Sequence, residues 1–264
     1  MTAVAETLVE RLDCLDWEGV GASLDAQGFA PLPAILEPDE CEALAASYKD
    51  EGRFRSRIDM SRFRFGVGEY KYFAAPLPPI VQTLREKLYA GLAPLANRWR
   101  ARLDRGGVGS RLQISQSGSQ FMQTTPDPLL DVYPARLDDF LAKCHKAGQT
   151  RPTPLLLAYT TGGYNCLHQD IYGDLAFPLQ TVFVLSRADT DYTGGDFLLV
   201  EQRPRAQSRG HAVRVPQGAG LVFATRDRPV AGTRGDYRVV TRHGVSTITS
   251  GSRVSLGIIF HDAK

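Results

Sequence analysis

Residues 164–178 read YNCLHQDIYGDLAFP, which sets a histidine and an aspartate two positions apart between an aromatic stretch and an apolar one. If this run is a strand, alternate side chains leave one face, and His168 and Asp170 stand side by side with their backbones about 6 to 7 Å apart. Two such arms suit one metal ion, whereas a His-x-Asp pair with nothing around it is ordinary decoration of a strand edge. The flanking sequence decides between these readings. From Pro154 onward eight short strand-like runs follow one another: LLLAY, YNCLHQDI, LQTVFVLS, DFLLVE, HAVRV, GLVFAT, YRVVTRHGV and RVSLGIIF. Between them TGGYN, DTDYTGGD, VPQGAG and TRGD supply turn residues and leave helices little room. Such regular spacing predicts two packed sheets of the jelly-roll kind, with a small-molecule site in the space between them.

Up to about Lys146 the helical period dominates. MTAVAETLVERLDCLDWEGV places Val4, Leu8, Leu12 and Leu15 at helical spacing among acids, unlike the basic, continuously apolar start of a signal peptide. EPDECEALAASYKDEG, PPIVQTLREKLYAGLAPLANRWRARL and ARLDDFLAKCHKAG read as further helices, Pro38 and its neighbouring acids marking the start of the first. RFRSRIDMSRFRFGVGEYKYF alternates arginines and aromatics in a pattern suited to strands or an ordered loop. The expected fold is α+β: one domain over 1–264, with a mainly helical support and substrate-entrance region (1–150) packed on a catalytic jelly-roll core (151–264).

A chain of 264 residues, 43% hydrophobic and 23% charged, can bury one large core. Its net charge of +2 provides no global field for nucleic acid or an anionic membrane, and no apolar run reaches spanning length. Cys14, Cys41, Cys144 and Cys166 form no CxxC pair, which favours reduced thiols and a cytoplasmic location.

An iron site that activates oxygen needs three protein ligands on one face, and two imidazoles with one carboxylate supply them. His145 and His211 read as surface residues, and His261 stands at the chain end, where nothing follows to build a pocket. His243 differs, because Arg253 comes ten residues later and Ser255 shares its face of an apolar strand. His168, Asp170 and His243 would hold Fe(II), leaving three positions for O2 and a chelating cosubstrate. Were that cosubstrate 2-oxoglutarate, Arg253 could grip its far carboxylate bidentately, with Ser255 adding a hydroxyl. A solvated arginine is the plain alternative, but Val254, Leu256, Ile258 and Ile259 surround it, and a charge in such a setting needs a partner.

The series HQD, His243, Arg253-Val254-Ser255 resembles the Fe(II)/2-oxoglutarate dioxygenase superfamily with its double-stranded β-helix core, over roughly residues 154–262. AYTTGGYNCLHQD and TGGDFLLVE are similar to the prolyl-hydroxylase-like branch, as is the entry segment GFAPLPAILEPDECEALAAS. That resemblance implies that Tyr159 contacts 2-oxoglutarate. Many members of that branch use lysine where this chain has Arg253, so the likeness does not carry a prolyl substrate with it.

The expected activity is that of a non-haem iron dioxygenase, coupling decarboxylation of 2-oxoglutarate to succinate and CO2 with hydroxylation of a C–H bond. A protein, peptide or amino acid is the first-choice substrate. Oxidative demethylation of alkylated nucleic acid is the second reading, and a catalytically silent jelly-roll binding module the third. Arg53, Arg55, Arg57, Arg62 and Arg64, interleaved with Phe54, Phe63 and Phe65, could grip phosphates and stack bases, but pairing with nearby acids on a solvated face is favoured. Arg203, Arg205 and Arg209 form a second such cluster, and Arg234-Gly235-Asp236 reads as a turn. The stretch from Arg53 to Phe73 would line or cover the substrate entrance.

Overall fold

The computed structural model describes residues 6–105, 132–233 and 235–264. In chain order the elements are α1 (Leu8–Asp13), α2 (Trp17–Gln27), β1 (Phe29–Ala34), α3 (Pro38–Ala46), β2 (Phe54–Asp59), β3 (Gly66–Val67), β4 (Glu69–Phe73), α4 (Pro79–Arg105) and α5 (Leu137–Lys146). There follow β5 (Leu155–Thr160), β6 (Tyr164–His168), β7 (Leu179–Val184), β8 (Tyr192–Gly194), β9 (Phe197–Gln202) and β10 (Arg209–Val213). The last four are β11 (Ala219–Ala224), β12 (Asp227–Gly232), β13 (Gly235–Val245) and β14 (Ile248–Ile259). Arg234, the first residue of the Arg-Gly-Asp tripeptide expected to form a turn, lies outside the described residues.

The larger sheet has the order β1-β11-β7-β14-β5-β4-β2 and the smaller β10-β9-β13-β6-β3, with β8 and β12 on the flanks of β14 and β13. The eight runs picked out in the sequence are β5, β7, β11 and β14 of the larger sheet and β6, β9, β10 and β13 of the smaller. Apart from the hairpin β9–β10, which stays in the smaller sheet, successive runs alternate between the two sheets, the order of a double-stranded β-helix. The N-terminal half is less purely helical than its periodicity suggests. The β2–β4 hairpin extends the larger sheet beyond β5 while β3 pairs with β6, so residues 54–73 bridge the two sheets.

Two-residue alternation divides each strand of the larger sheet between two cores. On β14, Leu256 and Ile258 face the helices and join Val81, Leu84 and Leu88 of α4, while Arg253, Ser255, Gly257 and Ile259 face a cavity between the sheets. Deeper in that interior lie Val184, Leu199, Leu221 and Ile248. Each such aliphatic side chain contributes about 1.5–3 kcal/mol by burial. Helix α4 also ties down the chain end: buried Arg85 donates to the carbonyls of Ile259 and Phe260 and pairs with Asp262 at 2.7 Å. His145, expected at the surface, is half exposed but sits 3.0 Å from the other Asp262 oxygen.

Candidate active site

Strand β6 ends at His168, so Asp170 is not on the strand as its spacing suggests. Beyond His168 the ladder passes from backbone to side chain: the Gln169 amide donates to the carbonyl of Thr241 at 2.8 Å, freeing the chain to turn. The turn still brings the Asp170 carboxylate to its neighbour. His168 faces His243 as its cross-strand partner, with ring centroids 4.2 Å apart. Asp170 Oδ2 lies 3.1 Å from His243 Nε2, and Oδ1 lies 3.5 Å from His168 Nε2. One donor atom from each of the three falls within 4.8 Å of the others, the only such cluster of metal-ligating side chains among the described residues.

A β-bulge sets the orientation of His168. Between the pairs His243–His168 and Val245–Asn165, β6 carries one residue more than β13, so Asn165 and His168 both face the cavity. The same irregularity turns the Cys166 carbonyl toward the imidazole, and His168 Nδ1 lies 2.8 Å from it. With Nδ1–H donating there, Nε2 keeps its lone pair for a metal. Opposite the bulge stands Gly244, where an added Cβ would come within 2.6 Å of the Asn165 carbonyl.

Electrostatics prepare these groups as ligands. Burial is the largest influence on Asp170 and works to raise its pKa. The hydrogen bond to His243, the charges of both imidazoles and the Tyr172 hydroxyl outweigh it, holding the carboxyl far below its usual range. Burial, then the charge of His168, lowers the His243 pKa, so its imidazole is neutral at neutral pH. His261, by contrast, is an interior residue outside this cluster: its Nδ1 accepts the Phe177 N–H at 3.3 Å, and burial brings its pKa down to about 4. In the unfolded chain it titrates near about 6.5, so acid favours unfolding; the stability that neutral His261 contributes is whole above that pH and lost as pH falls toward 4. Chemical denaturation across this window should show His261→Gln losing up to about 3 kcal/mol less than the unaltered chain.

The cavity between the sheets measures about 200 Å³ and is lined by His168, Asp170 and His243 at one side and Arg253 and Ser255 at another. Arg253 is 1% exposed, donates from Nη1 to Ser255 Oγ at 3.1 Å, and leaves Nε without a partner. Among the described residues no carboxylate pairs with it. Tyr159, its cross-strand partner, lies with Tyr192 about 6 Å from the guanidinium and does not line the cavity. Tyr70, Tyr72 and Tyr172 do line it; the first two belong to the stretch expected at the substrate entrance, whereas Tyr172, in the loop after β6, has no period to mark it. Most arginines of the 53–64 stretch pair with acids as expected: Arg53 with Asp50, Arg57 with Glu69, and Arg62 more loosely with Asp59.

Two Mycobacterium tuberculosis proteins, Uncharacterized protein Rv2227 (strain ATCC 25618 / H37Rv) and Uncharacterized protein MT2286 (strain CDC 1551 / Oshkosh), are each 50% identical to this chain over 191 residues, 72% of either length. Among solved structures, a Trichoplax adhaerens prolyl hydroxylase in complex with a hypoxia inducible factor peptide fragment superposes with TM-score 0.50 at 12% identity, covering 99% of this chain and 94% of that one. A non-heme alpha-ketoglutarate-dependent epimerase from nogalamycin biosynthesis gives the same TM-score and identity, covering 91% and 80%. At these identities the likeness is one of fold, the jelly roll of the 2-oxoglutarate oxygenases. No helix among the described residues is long and apolar enough to cross a membrane. The family model described as "Oxygenase, catalysing oxidative methylation of damaged DNA" matches residues 68–130 and 127–263, a span that includes the three clustered ligands and Arg253, and the chain belongs to that oxygenase family.

Proposed function

We propose that this oxygenase takes Fe(II), 2-oxoglutarate and O2, and removes methyl groups from alkylated DNA by hydroxylating them. Arg253 carries the cosubstrate reading. A buried guanidinium without an anion costs several kcal/mol, and a dicarboxylate bound in the cavity would supply the missing partner. His168, Asp170 and His243 would hold the iron, and their imidazole nitrogens and carboxylate match its preference for nitrogen and oxygen donors. Arg253 and Ser255 would orient the cosubstrate, with Tyr159 bracing Arg253 from behind rather than touching the ligand. Iron and 2-oxoglutarate together supply the oxidation, releasing succinate and CO2 and placing one oxygen atom of O2 in a C–H bond. The protein's part is to hold both reactants and keep bulk water from the site. A hydroxylated N-methyl group leaves as formaldehyde, restoring the unmodified base.

The description of the matched family supports DNA over the peptide substrate first expected. So does the cavity mouth, where Phe63 and Phe65 stack at 5.5 Å, both about half exposed, with Arg62 and Arg64 interleaved. Stacked rings with neighbouring cations suit bases and phosphates. Succinate formation stimulated by methylated oligonucleotides, with formaldehyde released in step, tests the proposal; stimulation by peptides alone would reject the DNA reading. Replacing Arg62 and Arg64 together by alanine should leave uncoupled 2-oxoglutarate turnover near wild type, lower oligonucleotide-stimulated turnover roughly 10-fold, and flatten the salt dependence of binding by on the order of two phosphate contacts.

A further inference from the structure

The Tyr172 hydroxyl donates to Asp170 Oδ1 at 2.5 Å. The other oxygen, Oδ2, makes the closer approach to a ligand nitrogen, 3.1 Å from His243 Nε2 against 3.5 Å from Oδ1 to His168 Nε2. Two ligand atoms about 2.1 Å from a metal and at right angles lie roughly 3 Å apart, so the Oδ2–His243 spacing already suits neighbouring ligands. Tyr172 is itself held in place: its ring meets those of Tyr72 and His261 at centroid distances of 6.1 and 6.0 Å, and the Arg55 guanidinium covers the Tyr72 ring at 4.5 Å.

We propose that Tyr172 is a positioning residue that makes Asp170 a one-oxygen ligand: by occupying Oδ1 it turns Oδ2 alone toward the metal and keeps a coordination position open for O2. This rests on the iron and 2-oxoglutarate reading above. The count of positions shows why it matters. A six-coordinate ion with two imidazoles and one carboxylate oxygen has three sites left, two for a chelating cosubstrate and one for O2. A carboxylate bound through both oxygens would fill that last site. The competition is real because a free carboxylate oxygen beside a cation coordinates readily. A charge-assisted hydrogen bond of this length is among the stronger ways to withhold it.

Tyr172→Phe removes one oxygen atom and leaves the ring packing intact. Nitric oxide, a stable stand-in for O2, is titrated anaerobically into the protein loaded with Fe(II) and 2-oxoglutarate and followed by electron paramagnetic resonance. The variant should bind iron and 2-oxoglutarate within a few-fold of wild type but nitric oxide about 10-fold more weakly, the size expected for losing one hydrogen bond to a charged group. A ring-fluorinated tyrosine at position 172, which keeps both shape and donor, should bind nitric oxide as wild type does. Equal nitric oxide affinity in Tyr172→Phe and wild type would overturn the proposal, as would equal weakening in the Phe and fluorinated proteins. Failure of the unaltered protein to take up Fe(II) or 2-oxoglutarate would instead overturn the functional reading beneath it.

Discussion

Arg253→Ala should raise the dissociation constant for 2-oxoglutarate roughly 30-fold or more in the anaerobic Fe(II) complex, with iron affinity close to wild type. The magnitude follows from the setting. Truncating one partner of a buried, charge-assisted contact costs on the order of 2 to 5 kcal/mol, much of it the penalty for leaving the other charge unpaired. Arg253→Lys should fall between alanine and wild type, because lysine keeps the charge but loses the planar fork. Removing an uncompensated guanidinium should also stabilise the cosubstrate-free protein, so its melting temperature should rise or hold even as cosubstrate binding is lost. Isothermal titration and thermal melts on the same preparations read both effects. An unchanged 2-oxoglutarate constant in folded Arg253→Ala would remove the strongest support for the cosubstrate assignment.

The second large effect belongs to His243. Its replacement by alanine should weaken Mn(II) binding, used as an oxidation-stable surrogate for Fe(II), by on the order of 100-fold or more; altering even the groups that orient metal ligands costs 10- to 100-fold. His261→Ala should bind the metal as wild type does, while losing stability from the hole left in a packed interior. Equal loss of metal affinity in the two variants would refute the choice of ligand. The comparison is sharp because both histidines are buried and both lie in the C-terminal part of the chain. Only one has its ring against His168.

The strands legible in the sequence were those with uninterrupted β-branched and aromatic runs. Strand β1, FAPLPA, falls within the segment likened to the entry of the prolyl-hydroxylase-like branch, and its Pro31 and Pro33 lack the N–H that a ladder uses, so it carries no clear strand signal. It is a strand nonetheless, because it stands at the edge of the larger sheet and pairs on one side only, with β11. Strand β12 contains Pro229 and likewise pairs only with β13. Its residues fall between GLVFAT and TRGD, and the turn signals concealed them. Of the residues that line the cavity, His168, Asp170, His243, Arg253 and Ser255 were legible by spacing because four of the five sit on strands, where sequence separation translates directly into facing. Tyr172 was not: a residue beyond a strand's end has no period to betray it, and its contact with Asp170 depends on the turn made after His168. The mixed arginine and aromatic character of residues 53–73 pointed to the substrate entrance, but which strands they join was not legible, since their pairing partners, β5 and β6, lie about ninety residues away in the chain.

The bulge in β6 and the glycine facing it have a consequence for anyone who would move this centre to another scaffold. The spacing Asn-x-x-His on one strand is usable only where the opposing strand presents no side chain, so Asn165 to His168 and the dipeptide His243-Gly244 form a single transplantable unit. Grafting the three ligands alone onto a regular jelly roll would supply the right donors on an imidazole free to spin, since no displaced carbonyl would be there to fix its Nδ1. Copying the glycine without the extra residue would open a gap and gain nothing. In design terms, the specification of this metal centre is four residues long on one strand and two on the other, and only two of those six, His168 and His243, would touch the ion.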